Sequence, residues 1–322
     1  MYCRGNSKDV LDTALRNSTI RDSIRIDYNK WPKDVAFECK GDANYAKLDN
    51  EPLILPHSFI INDFATTQLC SKLRIPVSYF KRCPDFLRGP QLEYWKTKHK
   101  RNYSKERYFL FRTWGEEIKG VLSDLYYPID NTTILNNLNK VVNTSDLPSN
   151  NNWASITDNS MWVVISLLEY TDIIPVTVGL TIINSEVGNS SLYLKYMITW
   201  KDAYKIPVPE KIFKTLTGYN SLYHKAAHVQ YKKQELVAIE RMDLNYHNNL
   251  AEQVYKQFKL LYDQYLTNNE YEALEKLVGK NIMKYISKEF QIKKLEAVEI
   301  IANHFTPKDE LLYLSEIEDI IW

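Results

Sequence analysis

Two acidic side chains are spaced so that they could hold a metal ion. Asp124 and Asp130 bracket the segment Asp-Leu-Tyr-Tyr-Pro-Ile-Asp, beside a strongly basic part of the chain. Paired carboxylates of this kind bind Mg²⁺ in nucleases. The same residues also fit a strand end at Asp124 and a helix cap at Asp130. We expect this second arrangement, and metal-dependent nuclease activity is kept as the weaker alternative.

Histidines form a second candidate metal site. His224 and His228 would face the same side of a helix, as zinc ligands do. A zinc-protease helix carries Glu directly after its first His, and this chain has Lys225 there. His247 becomes a third ligand only if the helices fold back. We therefore expect ordinary polar histidines and neither a metal nor a cofactor.

Familiar catalytic motifs do not occur in the sequence. It contains no nucleotide-binding P-loop, no Rossmann glycine turn and no serine-hydrolase elbow. We therefore predict no catalytic residue, and we expect a protein that is not an enzyme.

The segment Asn-Ser-Glu-Val-Gly ends a predicted strand. Asn184 and Ser185 can bond local backbone, Glu186 is expected to project, and Gly188 permits positive φ. One interpretation is a β-turn fixed by its own side chains. The other places Asn184 and Glu186 near the basic residues, where they would position a ligand.

Positive charge and aromatic rings are concentrated in residues 72–112, which we call the basic-aromatic segment. It holds twelve Lys and Arg against three Asp and Glu, a net charge of +9 in a chain whose total is +1. Nine aromatic residues are interleaved with these cations. Cations mixed with flat rings suit a polyanion with unstacked bases. The plainer interpretation is a solvated charged face whose aromatic residues belong to the core.

The residues predicted to contact nucleic acid come from this segment. The cations would neutralise phosphates, and the tyrosines would offer stacking faces. They are Arg82, Tyr94, Lys96, Lys98, Lys100, Arg101, Tyr103, Lys105 and Arg107.

The composition is that of a globular protein. The chain has 322 residues, 44% of them hydrophobic and 25% charged, which is enough for one large or two ordinary domains. Its four cysteines are far apart and form no disulfide framework, which favours a reducing compartment. The longest apolar run is far short of the roughly 20 residues that a membrane helix needs. We expect a cytoplasmic protein with no membrane partner.

Most of the first two hundred residues are expected to build a sheet. Short apolar runs and alternating stretches predict its strands. These are Ile20–Ile26, Val35–Cys39, Leu53–Leu55, Tyr108–Trp114, Ile118–Asp124, Trp162–Leu168, Val176–Ile183 and Leu192–Trp200. Gly115 and Glu116 form the turn of a hairpin.

Helices are predicted between these strands. Asp63 caps a first helix that ends before Pro76, and Pro76 starts a short second one. A third begins at Pro90 and ends near Lys100. A fourth follows Asp130, with apolar residues at the spacing of one helix face.

The chain is predicted to be helical after Gly218. Leu250, Val254, Phe258, Leu261 and Tyr265 repeat at helical spacing. Thr267 and Glu270 fit a capping box, and Leu274, Leu277 and Val278 continue the pattern.

Three stretches together resemble a known family. They are Gln68–Pro84, Ile118–Asn131 and Gly179–Leu192. In order and spacing they are similar to the phage/plasmid-like proteins grouped as domain of unknown function nine-three-two. The resemblance implies a gene of a phage or other mobile element, among replication and recombination genes, and hence the host cytoplasm. It implies no reaction. The chain departs from the family at residues 197–207 and 223–230.

We predict an α+β fold, with a mixed or antiparallel sheet that has helices on one side, followed by a helical C-terminal part. Residues 1–205 form the α+β domain with a basic helical insertion at 63–107, and residues 206–322 form the helical region packed on it. The predicted function is non-enzymatic binding of nucleic acid, in particular single-stranded DNA, in replication or recombination. The alternative is a phage protein that modulates or inhibits a host or defence protein. Assembly as a homo-oligomer stays open.

Overall fold

The computed structural model describes most of the chain. The described residues are 2–18, 22–27, 35–40, 43–48, 57–98, 108–123, 126–127, 129–143, 152–171, 174–190, 192–201, 204–209, 211–212, 239, 242–286, 292–304 and 320–322. Two sheets and their covering helices make up this part, so the predicted α+β class is confirmed. The strands are divided between two sheets, where we expected one.

Sheet I is mixed. Its strand order is β2 (Asp22–Asp27), β6 (Tyr108–Trp114), β7 (Glu117–Ser123), β5 (His57–Ile61), β4 (Ala43–Leu48) and β3 (Val35–Lys40). The β5/β7 pair is parallel and the others are antiparallel. Strands β6 and β7 form the predicted hairpin, and Gly115 in its turn has φ +56°.

Sheet II is antiparallel throughout. Its strand order is β1 (Tyr2–Gly5), β8 (Asn152–Ile156), β9 (Met161–Tyr170), β10 (Val176–Asn184), β11 (Tyr193–Trp200) and β12 (Tyr204–Pro207). Every residue of the central strand β10 is buried, so both faces of this sheet are covered. The first strand of the chain thus belongs to the second sheet.

Helices cover both sheets. In chain order they are α1 (Ser7–Asn17), α2 (Asp63–Lys72), α3 (Val77–Arg82), α4 (Asp85–Lys98), α5 (Asn131–Asn143), α6 (Leu244–Tyr262), α7 (Asn268–Val278), α8 (Lys280–Met283) and α9 (Lys294–Ala302). On sheet I, α2 packs against β7 and α4 against β3. On sheet II, α1 packs against β8 and α5, while α6 packs against β9 and β10.

Each sheet has its own core. The larger core joins one face of sheet II to α1, α5 and the C-terminal helices, with Val163 and Phe258 among its buried residues. The smaller core joins sheet I to α2, α3 and α4 through residues such as Leu69, Phe80 and Phe111. Helices and sheets therefore bury their apolar faces against each other within each unit.

Two predicted helix starts are wrong. Helix α2 is capped by Asn62, whose Oδ1 accepts the Ala65 N–H at 2.8 Å, and Asp63 is its first residue. Helix α4 begins at Asp85, five residues before the predicted Pro90. Its first turn forms on the Pro84 carbonyl, which accepts the Leu87 N–H at 2.9 Å. Pro90 removes one helical hydrogen bond without ending the helix.

The C-terminal helices largely follow the prediction. Leu250, Val254, Phe258 and Leu261 are buried on α6, whereas Tyr265 lies beyond the helix and is exposed. The Thr267–Glu270 capping box is confirmed. The predicted strand at Leu53–Leu55 and the histidines at positions 224 and 228 lie outside the described residues. In the described ranges, every helix is too short or too polar to span a bilayer.

Candidate functional site

An open groove lies between α3 and α4. It has a volume of about 420 Å³, which is within the usual range for binding clefts. Its lining residues are Ile75, Pro76, Tyr79, Leu87, Pro90, Gln91, Tyr94 and Trp95. We call it the α3–α4 groove. Among the residues that the structure describes, no charged side chain lines it.

The sequence shapes this groove through a short connection and two inward-facing residues. Cys83 and Pro84 alone separate α3 from α4, so the two helices follow each other directly. Phe80 of α3 and Leu92 of α4 are buried in the sheet I core. The neighbouring rings therefore face outward, leaving Tyr79 47% and Tyr94 55% exposed.

A chain of hydrogen bonds crosses the groove lining. Trp95 Nε1 donates to Gln91 Oε1 at 3.2 Å, and Gln91 Nε2 donates to Tyr79 Oη at 3.2 Å. Trp95 and Gln91 are four residues apart on α4, so they are neighbours on one helix face. These hydrogen bonds hold the Tyr79 side chain against Gln91 in the groove lining.

Exposed cations lie close to the groove lining in space or in the sequence. Lys98 Nζ lies 5.0 Å from the Trp95 ring centroid and donates to Tyr94 Oη at 3.2 Å. Arg82 is exposed three residues after Tyr79, and its Nε donates to the Ser78 carbonyl at 3.0 Å. Arg74 is exposed directly before the lining residue Ile75. The site thus combines exposed rings with nearby positive charge.

Other cations of the basic-aromatic segment are buried in ion pairs. Lys96 is only 2% exposed, and its Nζ lies 2.5 Å from Glu93 Oε2, so the prediction that it is an exposed contact residue is wrong. The cause is its position on α4, where it is buried and has a carboxylate three residues away. Arg88 pairs with Asp85, and Arg112 pairs with Asp130. A phosphate contact by any of these would first break an ion pair.

Five predicted contact residues lie outside the described part of the chain, and their roles stay predictions. They are Lys100, Arg101, Tyr103, Lys105 and Arg107. Asp124 is outside it as well.

The Asn-Ser-Glu-Val-Gly segment joins sheet II to the start of α5. Glu186 is buried, and its Oε1 accepts the Asn131 N–H at 2.8 Å. The prediction that Glu186 projects is therefore wrong. Asn184 Nδ2 donates to the Ile129 carbonyl at 3.0 Å and to Asn131 Oδ1 at 2.9 Å. A carboxylate at this position satisfies a free helix N–H and matches the helix dipole.

Asp130 stands directly before α5, but its carboxylate turns away from the helix. It pairs with the buried Arg112 of β6, while Glu186 takes the capping role from the turn after β10. Within the described residues no cluster of His, Cys, Asp and Glu could hold a metal ion. The carboxylate of Asp130 neutralises Arg112.

Tyr126 adds a phenol to this buried region. Its hydroxyl donates to the Ser185 carbonyl. Burial raises the pKa of the Tyr126 phenol well above its usual range, although the Arg112 charge opposes the shift, and the Glu186 and Asp130 carboxylates add to it. Tyr126 is therefore a neutral hydrogen-bond donor here.

Ser185 and Gly188 close the turn as predicted. Ser185 Oγ accepts the Asn189 N–H at 2.8 Å and donates to the Asn159 carbonyl at 2.6 Å. Gly188 has φ +79°, and a Cβ there would lie 2.6 Å from Leu122 Cδ2. Only glycine fits this conformation without strain. These contacts favour the interpretation of a turn fixed by its own and neighbouring side chains.

Gln68 of α2 links the two sheets. Its Oε1 accepts the Val121 N–H of sheet I at 2.8 Å, and its Nε2 donates to the Val187 carbonyl after β10 at 2.8 Å. Val187 also lies against Gly120, where an added Cβ would be 3.0 Å from Val187 Cβ. Gln68 and the polar side chains described above around the start of α5 and the turn after β10 lie together between the two sheets, and we call them the polar junction. Its members are Gln68, Arg112, Tyr126, Asp130, Asn131, Asn184, Ser185 and Glu186.

His247 belongs to no metal-binding cluster among the described residues. It is buried on α6, and its Nδ1 is 2.7 Å from Tyr196 Oη on β11. Burial lowers its pKa to about 4, although Asp243 opposes the shift. His247 is therefore neutral at physiological pH and shares a hydrogen bond with the Tyr196 hydroxyl.

Sequence reasoning missed Gln68, Tyr79 and Gln91. Gln68 is the first residue of a stretch that carries the family resemblance, but one glutamine gives no sign of its partners. Tyr79 and Gln91 are twelve positions apart in the sequence, and only the fold of α3 against α4 joins them. Comparison with known proteins adds no assignment, because no family model, curated protein or solved structure matches this chain.

Proposed function

We propose that this protein binds single-stranded nucleic acid without catalysing a reaction, in replication or recombination of a phage or other mobile element. The observation that carries the binding proposal is the α3–α4 groove, where two exposed tyrosines stand among exposed cations. The mobile-element setting rests on the family resemblance alone. In this proposal the polar junction is a structural element that holds the two sheets together.

Stacking on the groove rings would supply sequence-tolerant affinity. Tyr79 and Tyr94 are exposed lining residues of the groove, and base stacking on an aromatic ring contributes about 1–3 kcal/mol per base. A double-stranded partner keeps its bases stacked inside the helix, so these rings favour a single strand.

Phosphate contacts would come from the cations that are exposed. Lys98 lies beside the Trp95 ring, and Arg74 and Arg82 are exposed close in sequence to the lining residues Ile75 and Tyr79. Each contact adds about 0.7 to the slope of log affinity against log salt for a single strand, so three contacts predict a slope of about 2. Residues Lys100, Arg101, Lys105 and Arg107 would raise this value if they bind as well.

A protein partner is the second candidate. Phe86 is 74% exposed on α4, and Leu87 beside it is exposed at the groove edge. Exposed apolar side chains next to a groove are typical of protein interaction sites. In that case the groove would bind a partner's side chains, and the cations would contact its acidic residues.

Labelled single-stranded DNA and RNA distinguish these two functions. Fluorescence anisotropy at increasing salt should show binding that strengthens with strand length and falls steeply as salt rises. Absence of binding to any strand at low salt would overturn the nucleic-acid proposal and leave the protein partner as the better candidate.

Groove tyrosines can be tested against matched tyrosines elsewhere. We expect Tyr79→Ala and Tyr94→Ala each to weaken binding about 5-fold to 150-fold, because each removes a stacking face. Tyr265→Ala and Tyr285→Ala are the controls, since these residues are 47% and 54% exposed on the C-terminal region and should leave affinity unchanged. Equal effects at all four positions would show that the groove is not the binding site.

A further inference from the structure

The hydrogen-bond chain in the α3–α4 groove has only one orientation. An indole N–H can only donate, so the atom of Gln91 that faces Trp95 Nε1 must be the carbonyl oxygen. The Gln91 amide nitrogen then faces Tyr79, and the Tyr79 oxygen accepts from it. Lys98 imposes the same role on Tyr94, because an ammonium group has no lone pair and the Tyr94 oxygen must accept.

Both phenols therefore have a hydrogen left to donate. A tyrosine oxygen that accepts one bond directs its own hydrogen elsewhere. Within the described residues, neither Tyr79 nor Tyr94 donates to another group, and Gln91 keeps a second amide hydrogen. The other groove side chains, apart from Trp95, have no polar atoms, since they are Ile, Leu and Pro. The groove is thus an apolar surface with three hydrogen-bond donors.

Resting on the proposed function, we infer that the groove selects bases by their carbonyl oxygens. Thymine and uracil carry two carbonyl acceptors, cytosine and guanine carry one, and adenine carries none. Adenine accepts hydrogen bonds only through its ring nitrogens, and its amino group cannot accept from the groove donors. The groove therefore prefers thymine and uracil over adenine.

The position of the donors supports a base as the bound group. Tyr79 and Gln91 line the groove beside the apolar faces of Ile75, Leu87 and Trp95, which suit a flat ring. The exposed cations that suit phosphate lie outside the lining. The arrangement separates a base-binding surface from its phosphate-binding flank.

Three single-stranded probes test this inference on the full chain. They are oligothymidylate, the same strand carrying the thymine isostere 2,4-difluorotoluene, and the same strand with abasic sites. The isostere keeps the shape of thymine and lacks its carbonyl acceptors. We expect thymidylate to bind roughly 5-fold to 100-fold more tightly than the isostere strand, and the abasic strand to bind most weakly.

A conservative variant connects the preference to the donor. Tyr79→Phe keeps the ring and removes one of the three donors, so we expect it to bind the isostere strand as wild type does and to lose part of the preference for thymidylate. Tyr265→Phe is the matched control and should keep the preference.

The outcomes distinguish a failure of the inference from a failure of the proposed function. Equal wild-type affinity for thymidylate and isostere overturns the inference while nucleic-acid binding stands. A Tyr79→Phe protein that keeps the full preference overturns it also. If abasic strands bind as well as thymidylate, the donors bind phosphate and the inference is overturned. Failure to bind any strand overturns the proposed function and the inference together.

Discussion

Single residues in the polar junction act through the backbone groups that they satisfy. Glu186 caps a helix that begins 55 residues earlier in the chain, and Asn184 bonds the same helix start. A sequence pattern predicts caps from adjacent residues, which is why Asp130 was expected in this role. The positive φ of Gly188 was predictable because it depends on the local chain alone.

Removing the Glu186 carboxylate should expose its role as a cap. Glu186→Ala leaves the buried Asn131 N–H without an acceptor, so we expect the free energy of unfolding to fall by about 1–3 kcal/mol. Glu186→Gln keeps an acceptor oxygen and should cost less. Urea denaturation measures both, and Glu116→Ala in an exposed turn is the control.

Binding measurements on the same variants separate structure from function. Folded Glu186→Gln should bind single-stranded DNA as wild type does, since Glu186 belongs to the junction and not to the groove. A loss of affinity in a folded Glu186→Gln protein would instead assign the junction to the binding site.

At the scale of elements, helices with a regular apolar face were predictable. The buried stripe of α6 and the capping box of α7 follow from spacing and from two local residues. The start of α4 was not predictable, because Gly89 and Pro90 are typical helix breakers. Both are tolerated since α4 packs against sheet I, and burial outweighs local propensity.

Docking of α6 on sheet II should depend on pH through His247. Its pKa is lowered to about 4, whereas a histidine in the unfolded chain titrates near 6.5. Between these values the unfolded chain binds a proton that the folded protein does not, so stability falls as pH drops from 6.5 towards 4. A pKa shift of this size corresponds to a loss of about 3 kcal/mol in the free energy of unfolding.

Comparison with one variant isolates this effect. His247→Asn removes the titrating ring and keeps a hydrogen-bonding group that can pair with the Tyr196 hydroxyl, so the fall in stability between pH 6.5 and pH 4 should become shallower than in wild type. Urea denaturation across this pH range measures the slopes. Identical slopes in the two proteins would contradict the role of His247.

For the whole molecule, the sequence predicted the class of fold but not its division into two sheets. Strand β1 pairs with β8, with Tyr2 opposite Ser155, although all the strands of sheet I lie between them in the sequence. Pairing over such a distance depends on the packing of complete elements, and alternation along a strand does not specify the partner. The basic-aromatic segment shows the same limit: its charge was evident in the sequence, but the burial of Lys96 and Arg112 was not.

The two sheets should be coupled through the side chain of Gln68. In Gln68→Glu the carboxylate can still accept the Val121 N–H of sheet I, but it cannot donate to the Val187 carbonyl and places negative charge beside it. We therefore expect faster amide hydrogen exchange around residues 185–189, with little change at Val121. In Gln68→Ala both bonds are lost, so exchange should accelerate on both sides, and the free energy of unfolding should fall by about 1–3 kcal/mol. If Gln68→Ala accelerated exchange in sheet I only, the sheets would be held together by other contacts, such as that of Gly120 with Val187.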